Sequence, residues 1–573
     1  MKGEREMRAS GVATACLAAW ISIVLLGSAL GQDRDLLLSG GHVVTLDAYS
    51  TVAEAVMVRD GRIAAIGSSA SLRKQVRPGA WEIDLGGRTV IPGLIDSHIH
   101  AIRAGLTYST QVNWIGAASL SEALERIRTA TTTMPAGGWI VVPGGWSIQQ
   151  FSEARRPTQD EIAQAAPGHP VYIQMSYVSA LLSPLGFQKL EIAADADLPA
   201  NGRLERDPEG RLTGWVTGDL GTIVALSGRL PKATLEQAMT GTARFFRELN
   251  RFGLTGISDP GGHNLALDQY AAVLAMRREH GLTLRVRYSL CAPRAGSELA
   301  DFQALTRHRP MGSGDDWLRF NGLGECVTWG MYNNDHPDAA QRAEFEAVAL
   351  WAARTGLTIT VHWNNESSVH YLLDALEHVA QQVPIASLRW SIAHVHDATP
   401  QTLARMKTLG VGWLMQNRLY FAVPAFFGAY QRSRIEAMPP IVSALRTGLH
   451  VGGGTDADRV MSYNPFVALQ WMLDGRTISG TPTRIAAEMP SREDALRIYT
   501  QGSAWFTHDE DQRGQLAPGM LADLAVLSDD ILTMPVERIG TLTSLLTMVG
   551  GRIVYADGPY AGLDEPGRAH PPR

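Results

Sequence analysis

Cysteine is scarce in this chain. Only 3 of its 573 residues are cysteines, and one of them, Cys16, lies in an apolar segment near the N-terminus. The other two, Cys291 and Cys326, are too few for the disulfide scaffold that holds small secreted domains together. We therefore expect the fold to be stabilised by its apolar core.

Strong charge and repetition are also lacking. Charged residues make up 19% of the chain, and the formal net charge is −6 with a pI near 6.3. We find no long run of like charges, no low-complexity tract and no internal repeat. Because nucleic acids and anionic membranes attract basic faces, the composition indicates neither as a partner. It leaves open whether the chain forms a homo-oligomer.

The N-terminus has the layout of a secretory signal peptide. Basic residues come first, residues 12–26 are almost continuously apolar, and Ala29 and Gly31 are small. This pattern predicts cleavage after Gly31 and export to the periplasm or the medium. An uncleaved anchor is the alternative, but a run of about 15 apolar residues is short for a bilayer. No second run of that kind follows, so we expect no stable membrane partner.

Short β segments occur at both ends of the chain. Residues 34–90 alternate apolar stretches with turns, including an Asp60-Gly61 pair typical of a tight hairpin. Residues 522–527 and 547–555 have the same character. These patterns predict one β-sandwich domain built from residues 32–90 and 510–573.

The middle of the chain, residues 91–509, alternates strands with helices. Such alternation favours βαβ units and a parallel sheet, and eight units favour a (β/α)8 TIM-like barrel. The span from about 105 to 240 is too long for one crossover, so we interpret it as an insertion after the first barrel strand. The eight predicted strands end near His100, Asp259, Leu290, Glu325, His362, His394, Gln416 and Asp456.

Histidines lie at several of these strand ends. His98 and His100 are two residues apart, so on a strand their side chains face the same way and can share a metal ion. This motif alone is weak, because His394 and His396 repeat it.

Further strand ends strengthen the metal hypothesis. His362 and His394 each close an apolar run, and Asp456 follows three glycines that we expect to leave room beside it for water. In a parallel α/β barrel the carboxyl ends of the strands converge on one mouth. Four histidines and a carboxylate there suit Zn²⁺ and similar divalent ions. The alternative, hydrogen-bonded core histidines, must explain such residues on four different strands.

A series of longer motifs runs along the chain. Residues 92–100, Pro-Gly-Leu-Ile-Asp-Ser-His-Ile-His, look like the strand-one signature of the metal-dependent amidohydrolase superfamily. The resemblance is closest to amidohydrolase family 3, which includes N-substituted formamide deformylase and the YtcJ-like proteins. It extends over nearly the whole mature chain through residues 139–146, 253–259, 361–362, 389–394, 454–456, 464–465, 495–500 and 514–524.

The resemblance implies a role for each matching residue. His98, His100, His362 and His394 would be metal ligands, and Asp456 a ligand that also moves a proton. The family often has a carboxylated lysine that bridges two metals at the end of strand four. Residues 320–326 read Phe-Asn-Gly-Leu-Gly-Glu-Cys instead. Glu325 is thus the candidate bridging carboxylate, with a position outside the ligand set as its alternative, and Cys326 is a further candidate ligand.

Other residues are candidates for the substrate pocket. Tyr177 stands where the family often has a histidine, which predicts an unusual pocket. Arg389 and His396 are better candidates for orienting the site, and Trp146 equally suits packing. The candidate substrate-binding residues are Trp146, Tyr177, His263, Arg389 and His396.

The ligand set predicts a hydrolase of small molecules. One or two divalent ions, Zn²⁺ foremost, would activate water for attack on a non-peptide C–N bond, with Asp456 as proton shuttle. Two alternatives stay open: a metal-binding barrel without hydrolytic activity, which serves as a sensor or binding protein, and an isomerase or lyase on the same metal site.

Overall fold

The computed structural model describes residues 34–262, 265–422, 424–428 and 430–564. The signal segment and His263 lie outside these ranges, so the predictions about them remain predictions. In chain order the strands are β1 (Leu36–Ser39), β2 (His42–Val44), β3 (Val52–Ala53), β4 (Ala55–Arg59), β5 (Arg62–Gly67), β6 (Trp81–Asp84), β7 (Thr89–Pro92), β8 (Leu94–Asp96), β9 (Ile140–Val142), β10 (Val171–Met175), β11 (Ser179–Leu182), β12 (Arg203–Arg206), β13 (Leu212–Thr217), β14 (Leu254–Asp259), β15 (Arg285–Leu290), β16 (Leu318–Leu323), β17 (Thr360–Trp363), β18 (Ser391–His394), β19 (Gly412–Gln416), β20 (Val451–Gly454), β21 (Leu524–Leu527), β22 (Ser544–Val549) and β23 (Arg552–Ala556).

Helices alternate with most of the central strands. In the described ranges none of them is both long enough and apolar enough to cross a membrane. The α-helices are α1 (Ser69–Leu72), α2 (Ala101–Thr107), α3 (Leu120–Thr131), α4 (Gln159–Ala165), α5 (Pro184–Lys189), α6 (Leu220–Ser227), α7 (Leu235–Arg251), α8 (Ala271–Arg278), α9 (Glu298–Thr306), α10 (Ala339–Arg354), α11 (Val369–Gln382), α12 (Pro400–Leu409), α13 (Pro424–Phe427), α14 (Arg432–Glu436), α15 (Ile441–Arg446), α16 (Pro465–Asp474), α17 (Arg492–Arg497) and α18 (Ser503–Trp505).

Helix α10 shows how the sequence sets these elements. Asp338 accepts a hydrogen bond from the Gln341 backbone N–H at 2.9 Å, and the Gln341 side chain accepts from the Asp338 N–H at 2.9 Å. This reciprocal capping box satisfies two of the N–H groups that a helix start leaves without partners. Phe345, Val348 and Ala352 then recur at helical spacing and are fully buried against the central strands.

Eight parallel strands form the centre of the molecule. Strands β8, β14, β15 and β16 follow one another in one sheet, and β17 to β20 do so in a second. A parallel bridge between Leu323 and Ile359 connects β16 to the segment before β17. On the other side, the Ser97 backbone N–H donates to the Gly453 carbonyl at 2.9 Å. The chain therefore has a TIM-barrel-like α/β fold.

The span between α2 and α7 forms a sheet of its own. Strands β9 to β13 pair in the order β12, β13, β11, β10, β9. Trp114, Trp146 and Phe151 are buried in a separate apolar cluster beneath this sheet. The insertion thus carries its own core, as a segment of this length needs in order to bury its apolar side chains.

The two ends of the chain meet in a shared sheet. Six strands pair in the order β23, β22, β21, β7, β2, β3, so β7 lies between strands from opposite termini. Val90 of β7 pairs with Val43 on one side and with Val526 on the other. These valines share a buried cluster with residues of the four-stranded sheet β5, β4, β1, β6.

Deletion of residues 510–573 should leave the protein insoluble. It removes β21 to β23, so β7 loses one hydrogen-bonded neighbour and the shared cluster loses Val526, Leu546 and Met548. An unpaired strand edge beside exposed apolar side chains promotes aggregation. The measurement is the soluble fraction on expression, with a chain ending at Asp564, which keeps all three strands, as the control. A soluble and active protein ending at residue 509 would contradict this expectation.

Candidate metal centre

The His98-Ile99-His100 segment lies just beyond strand β8, which ends at Asp96. It was predicted to lie on the strand itself, and that detail is wrong. The segment still runs between two neighbours, because the Ile99 N–H donates to the Ser258 carbonyl at 3.1 Å and the His98 carbonyl accepts from the Asp456 N–H at 2.8 Å. These bonds place both histidines at the carboxyl end of the central strands.

Asp96 anchors this end of the strand. Its carboxylate accepts hydrogen bonds from the His98 N–H at 3.0 Å, the Thr455 N–H at 3.1 Å and the Thr455 hydroxyl at 2.6 Å. Burial raises the pKa of Asp96 to about 7, although these hydrogen bonds act against burial. The side chain ties β8 to β20 and so positions His98 beside Asp456. Sequence reasoning did not assign it a role.

His98, His100 and Asp456 form a compact group. Asp456 Oδ1 lies 3.1 Å from His100 Nε2 and 3.6 Å from His98 Nε2. The second nitrogen of His100, Nδ1, lies 2.7 Å from the Gly261 carbonyl oxygen. Such a bond from the outer nitrogen is how proteins orient a histidine that binds metal through the other one.

Glu325, just after β16, lies between the histidines. Its Oε1 is 3.5 Å from His100 Nε2, while its Oε2 is 3.5 Å from His98 Nε2 and 3.2 Å from His362 Nδ1. The two carboxylate oxygens thus face different histidines. Glu325 therefore lies within reach of three of the candidate ligands.

His362 and His394 complete the set. His394 Nε2 lies 2.9 Å from His362 Nδ1, and the His394 and His98 ring centroids are 5.3 Å apart. His362 is turned so that its other nitrogen, Nε2, lies 2.8 Å from Asn333 Oδ1. The structure therefore brings together the four histidines, Glu325 and Asp456, with His362 at the edge of the set.

The donor set fits a divalent cation. Neither ring nitrogen of His98 has a hydrogen-bond partner, although the side chain is fully buried. Buried polar atoms without partners are rare in proteins, and each needs an explanation. In the described part of the chain, two groups have ligand atoms within 4.8 Å of one another: His98, Glu325 and His394, and His98, His100 and Asp456. Imidazole and carboxylate donors in this number suit Zn²⁺ and similar ions.

The electrostatics also favour a cation here. Burial lowers the pKa of His98, but the nearby carboxylates of Asp456 and Glu325, at 3.6 Å and 3.5 Å from its Nε2, outweigh burial and raise that pKa to about 10. Burial acts to raise the pKa of both carboxyl groups, yet the neighbouring histidines hold the pKa of Asp456 and Glu325 below its ordinary range. These two carboxylates therefore need positive charge beside them. A divalent ion bound here would supply that charge and would take the place of the proton on His98.

Most of the chain matches the sequence model of a known family. Residues 82–555 match the model of the amidohydrolase family, described as Amidohydro_3. The chain belongs to this family. It is therefore an enzyme, a hydrolase that acts on C–N bonds, and its fold is that of a metal-dependent hydrolase.

Two curated relatives cover almost the whole chain. N-substituted formamide deformylase of Arthrobacter pascens is 24% identical over 91% of this chain and 99% of its own length. Putative amidohydrolase YtcJ of Bacillus subtilis is 22% identical over 90% of this chain and 98% of its own length.

Solved structures share the fold at lower identity. An uncharacterised metal-dependent hydrolase from Pyrococcus horikoshii has a TM-score of 0.63, with 18% identity over 88% of this chain and 99% of that chain. Atrazine chlorohydrolase from Arthrobacter aurescens, solved with zinc, has a TM-score of 0.52, with 15% identity over 91% of this chain and 95% of that chain.

The backbone of this amidohydrolase is strained at two of the candidate ligand positions. His394 has a φ of 75° and Asp456 a φ of 53°, in the left-handed region that side chains other than glycine rarely adopt. Strain of this kind collects at functional sites, where the surrounding structure holds it.

The three glycines before Asp456 serve a different purpose from the one predicted. A Cβ on Gly453 would meet the Tyr499 ring at 2.4 Å, and a Cβ on Gly454 would lie 2.7–2.9 Å from the Cβ, N and O atoms of His98. The space beside them is filled by protein, so it is not open to water. The glycines instead let β20 approach the His98 segment closely.

Gly454→Ala should therefore lower the metal content and the stability of this amidohydrolase. The new methyl group displaces the His98 backbone, and overpacking of this kind costs about 1–3 kcal/mol. Bound metal by elemental analysis and the thermal midpoint of unfolding test this. Gly67→Ala is the control, because its Cβ would meet its nearest neighbour at an ordinary 3.8 Å. Unchanged metal content in Gly454→Ala would show that the close approach is not needed.

Two predicted pocket residues belong to the insertion. Trp146 packs against Trp114 and Phe151, and its indole N–H donates to the Gln174 carbonyl at 2.8 Å. Trp146 therefore packs in the apolar cluster of the insertion, which is the alternative to a role in the substrate pocket. Tyr177 lies in the turn between β10 and β11 and interacts electrostatically with Arg103 of α2, which places it beside the helix that follows His100.

Arg389 lies at the wrong end of its strand for a role in the pocket. It precedes β18, whereas His394 ends that strand. Its guanidinium forms an ion pair with Glu510 at 2.5 Å and donates to the Trp505 carbonyl at 2.8 Å. The prediction that Arg389 orients the metal site is corrected accordingly.

His396 lies near the predicted ligands and is 4% exposed. Burial, together with the positive charges of Arg418 and Arg434, lowers the pKa of His396 to about 3. Sequence reasoning did not single out Arg418. Its Nη1 donates to Asn364 Oδ1 at 2.9 Å, and Asn364 Nδ2 lies 3.0 Å from His362 Nε2. The position of Arg418 directly after β19 is the signal that would have identified it.

Cys326 is buried beside the centre but belongs to neither ligand group of the described residues. Its backbone N–H lies 3.3 Å from the Cys291 sulfur. Burial raises the pKa of the Cys326 thiol well above its ordinary value. Since thiolate is the form that binds metal, this environment does not favour Cys326 as a ligand.

Proposed function

We propose that this amidohydrolase cleaves a non-peptide, amide-type C–N bond in a small molecule, with Zn²⁺ as its divalent ion. The observation that supports this most is the convergence of imidazole and carboxylate groups from five strand ends on one buried point. These residues are His98, His100, Glu325, His362, His394 and Asp456.

The finer architecture is part of the proposal. We infer that the eight parallel strands close into a (β/α)8 barrel through the Leu323 to Ile359 bridge and the bond from Ser97 to Gly453. We infer too that the sheets at the two termini stack as one β-sandwich domain, since they share a buried cluster. The metal centre then lies at the mouth where barrel strands present their carboxyl ends.

The ligands divide into two subsites that share Glu325. His98, His100 and Asp456 would hold one ion and His362 and His394 a second, with Glu325 within reach of both. A divalent ion at this point lowers the pKa of water toward neutrality and polarises a carbonyl.

Asp456 is placed to move the proton. Its side chain is 15% exposed, so it reaches the mouth while its Oδ1 stays beside His100 and His98. The carboxylate accepts a proton from the attacking water and returns it to the leaving nitrogen. Burial of the histidines keeps bulk water from competing for these contacts.

The experiment that tests this function is metal analysis of the purified protein together with a substrate screen. We expect one or two zinc ions per chain and hydrolysis of some N-formyl, N-acyl or cyclic amide substrates, lost on chelation and restored by Zn²⁺. Bound metal without hydrolysis of any amide would favour the sensor or binding-protein alternative. Metal-dependent conversion without uptake of water would favour an isomerase or a lyase.

A further inference from the structure

Four residues lie at or just beyond the ends of the neighbouring strands β18 and β19, at the same end as the metal centre: His396, Gln416, Asn417 and Arg418. We call them the β18–β19 cluster. Strands β18 and β19 pair in parallel, with Ser391 opposite Gly412, so their ends lie side by side.

The buried members of this cluster have polar atoms without partners. Both ring nitrogens of His396, both amide atoms of Asn417 and Gln416 Nε2 make no hydrogen bond with any described residue. His396 is 4% exposed and Asn417 is 1% exposed. Buried groups of this kind are almost always satisfied in proteins, by the protein itself, by water or by a ligand.

The exposed member of the cluster carries a charge. Arg418 is exposed, and no carboxylate of the described residues lies within 4.0 Å of its guanidinium. Arg434 lies close by, but it donates to the Asp397 carbonyl and lies 3.8 Å from the Asp397 carboxylate, so its charge is already matched. Arg418 therefore makes no close ion pair among the described residues, and the negative charge that it senses is that of Asp456 at the metal centre.

Arg418 is also connected to the metal centre. Through Asn364 it lies two hydrogen bonds from His362 Nε2, at 2.9 Å and 3.0 Å. Its charge also interacts with the Asp456 carboxylate, so a group held by Arg418 would lie beside the metal centre.

We propose that the β18–β19 cluster binds a carboxylate of the substrate, so that the substrates are N-acyl or N-formyl amino acids or similar acidic amides. This inference rests on the proposed function. Arginine pairs with a carboxylate through two parallel hydrogen bonds, and the side chains of Gln416, Asn417 and His396 add N–H donors for its remaining lone pairs. The single charge of Arg418, which makes no ion pair among the described residues, suits a carboxylate better than a phosphate dianion.

Matched substrates test the proposal in the zinc-loaded enzyme. We expect a higher kcat/KM for N-formylphenylalanine than for N-formylphenylalaninamide. Arg418→Gln should lower kcat/KM for the acid by about 10–100-fold, the range of a hydrogen bond to a charged group, mainly through KM. The Arg418→Gln variant should leave kcat/KM for the amide within about twofold of the wild-type value. Arg418→Lys should recover part of the kcat/KM lost for the acid. Arg432→Gln is the control, since Arg432 is 91% exposed and pairs only with Glu436 among the described residues.

Direct binding separates this proposal from the hydrolase function. Calorimetry on the zinc-loaded protein would compare 3-phenylpropanoate, 3-phenylpropanamide and phenyl phosphate. A Kd for the carboxylate that rises about 10–100-fold in Arg418→Gln supports the cluster even where no amide is hydrolysed, in which case the proposed function alone fails. The inference would be overturned if Arg418→Gln lowered kcat/KM equally for the acid and the amide. It would also be overturned if Arg418→Gln left the Kd for 3-phenylpropanoate unchanged. Tighter binding of phenyl phosphate than of 3-phenylpropanoate would show that the cluster prefers a phosphate to a carboxylate.

Discussion

Asp456→Asn is expected to lower kcat by about 10²–10⁴-fold, the usual worth of general acid–base catalysis. Asparagine keeps the shape of the side chain and one oxygen that faces His100 and His98, but it cannot accept a proton. His98, His100, His362 and His394 remain, so the variant should still bind at least one metal ion.

Kinetics and metal analysis of the same preparation separate the two roles of Asp456. Low kcat with retained metal would support the proton shuttle. Loss of all metal would show that Asp456 is mainly a ligand, and equal activity would rule out the shuttle. Asp511→Asn, the same change at an exposed carboxylate, is the matched control and should leave both measurements unchanged.

Glu325→Gln is the second change with a large expected effect. An amide has one oxygen and no charge, so it cannot serve both subsites, and the metal content should fall toward one ion per chain. Loss of a group that only orients a metal ligand typically lowers metal affinity or activity by roughly 10–100-fold. Glu325→Gln should lower activity by more than that. Elemental analysis and steady-state kinetics provide the two readouts.

Cys326→Ser is the neighbouring control for Glu325→Gln. Because Cys326 lies outside both ligand groups of the described residues, its replacement should leave the metal content unchanged. The opposite pattern, with metal lost in Cys326→Ser and kept in Glu325→Gln, would reverse the assignment. If neither change alters the metal content, the centre holds one ion, bound by the histidines and Asp456.

The candidate ligands could be predicted from the sequence because parallel strands place their carboxyl ends at the same side of the sheet. Each predicted ligand follows an apolar run, and in this fold the carboxyl ends of such runs meet at one mouth. Arg389 shows the limit of that reasoning. It lies five positions before His394, and at about 3.3 Å per residue that spacing places it roughly 16 Å away along the strand.

Contacts between distant segments could not be predicted in the same way. The cluster around Arg418 depends on the pairing of β18 with β19 and on Asn364 from a third strand. The role of Asp96 depends on Thr455, 359 residues later in the chain. No local motif records such pairings, because the side chains meet only after the sheets have formed.

The position of β7 between strands from the two termini has a consequence for how the chain is made. Thr89, the first residue of β7, donates to the Asp530 carboxylate across 441 residues. At typical synthesis rates of 5–20 residues per second, β7 waits roughly 20–90 s for its partner β21. During that interval the edge of β7 is open to chaperones or to other chains. We therefore expect resistance to proteases to appear only after β21 has paired with β7.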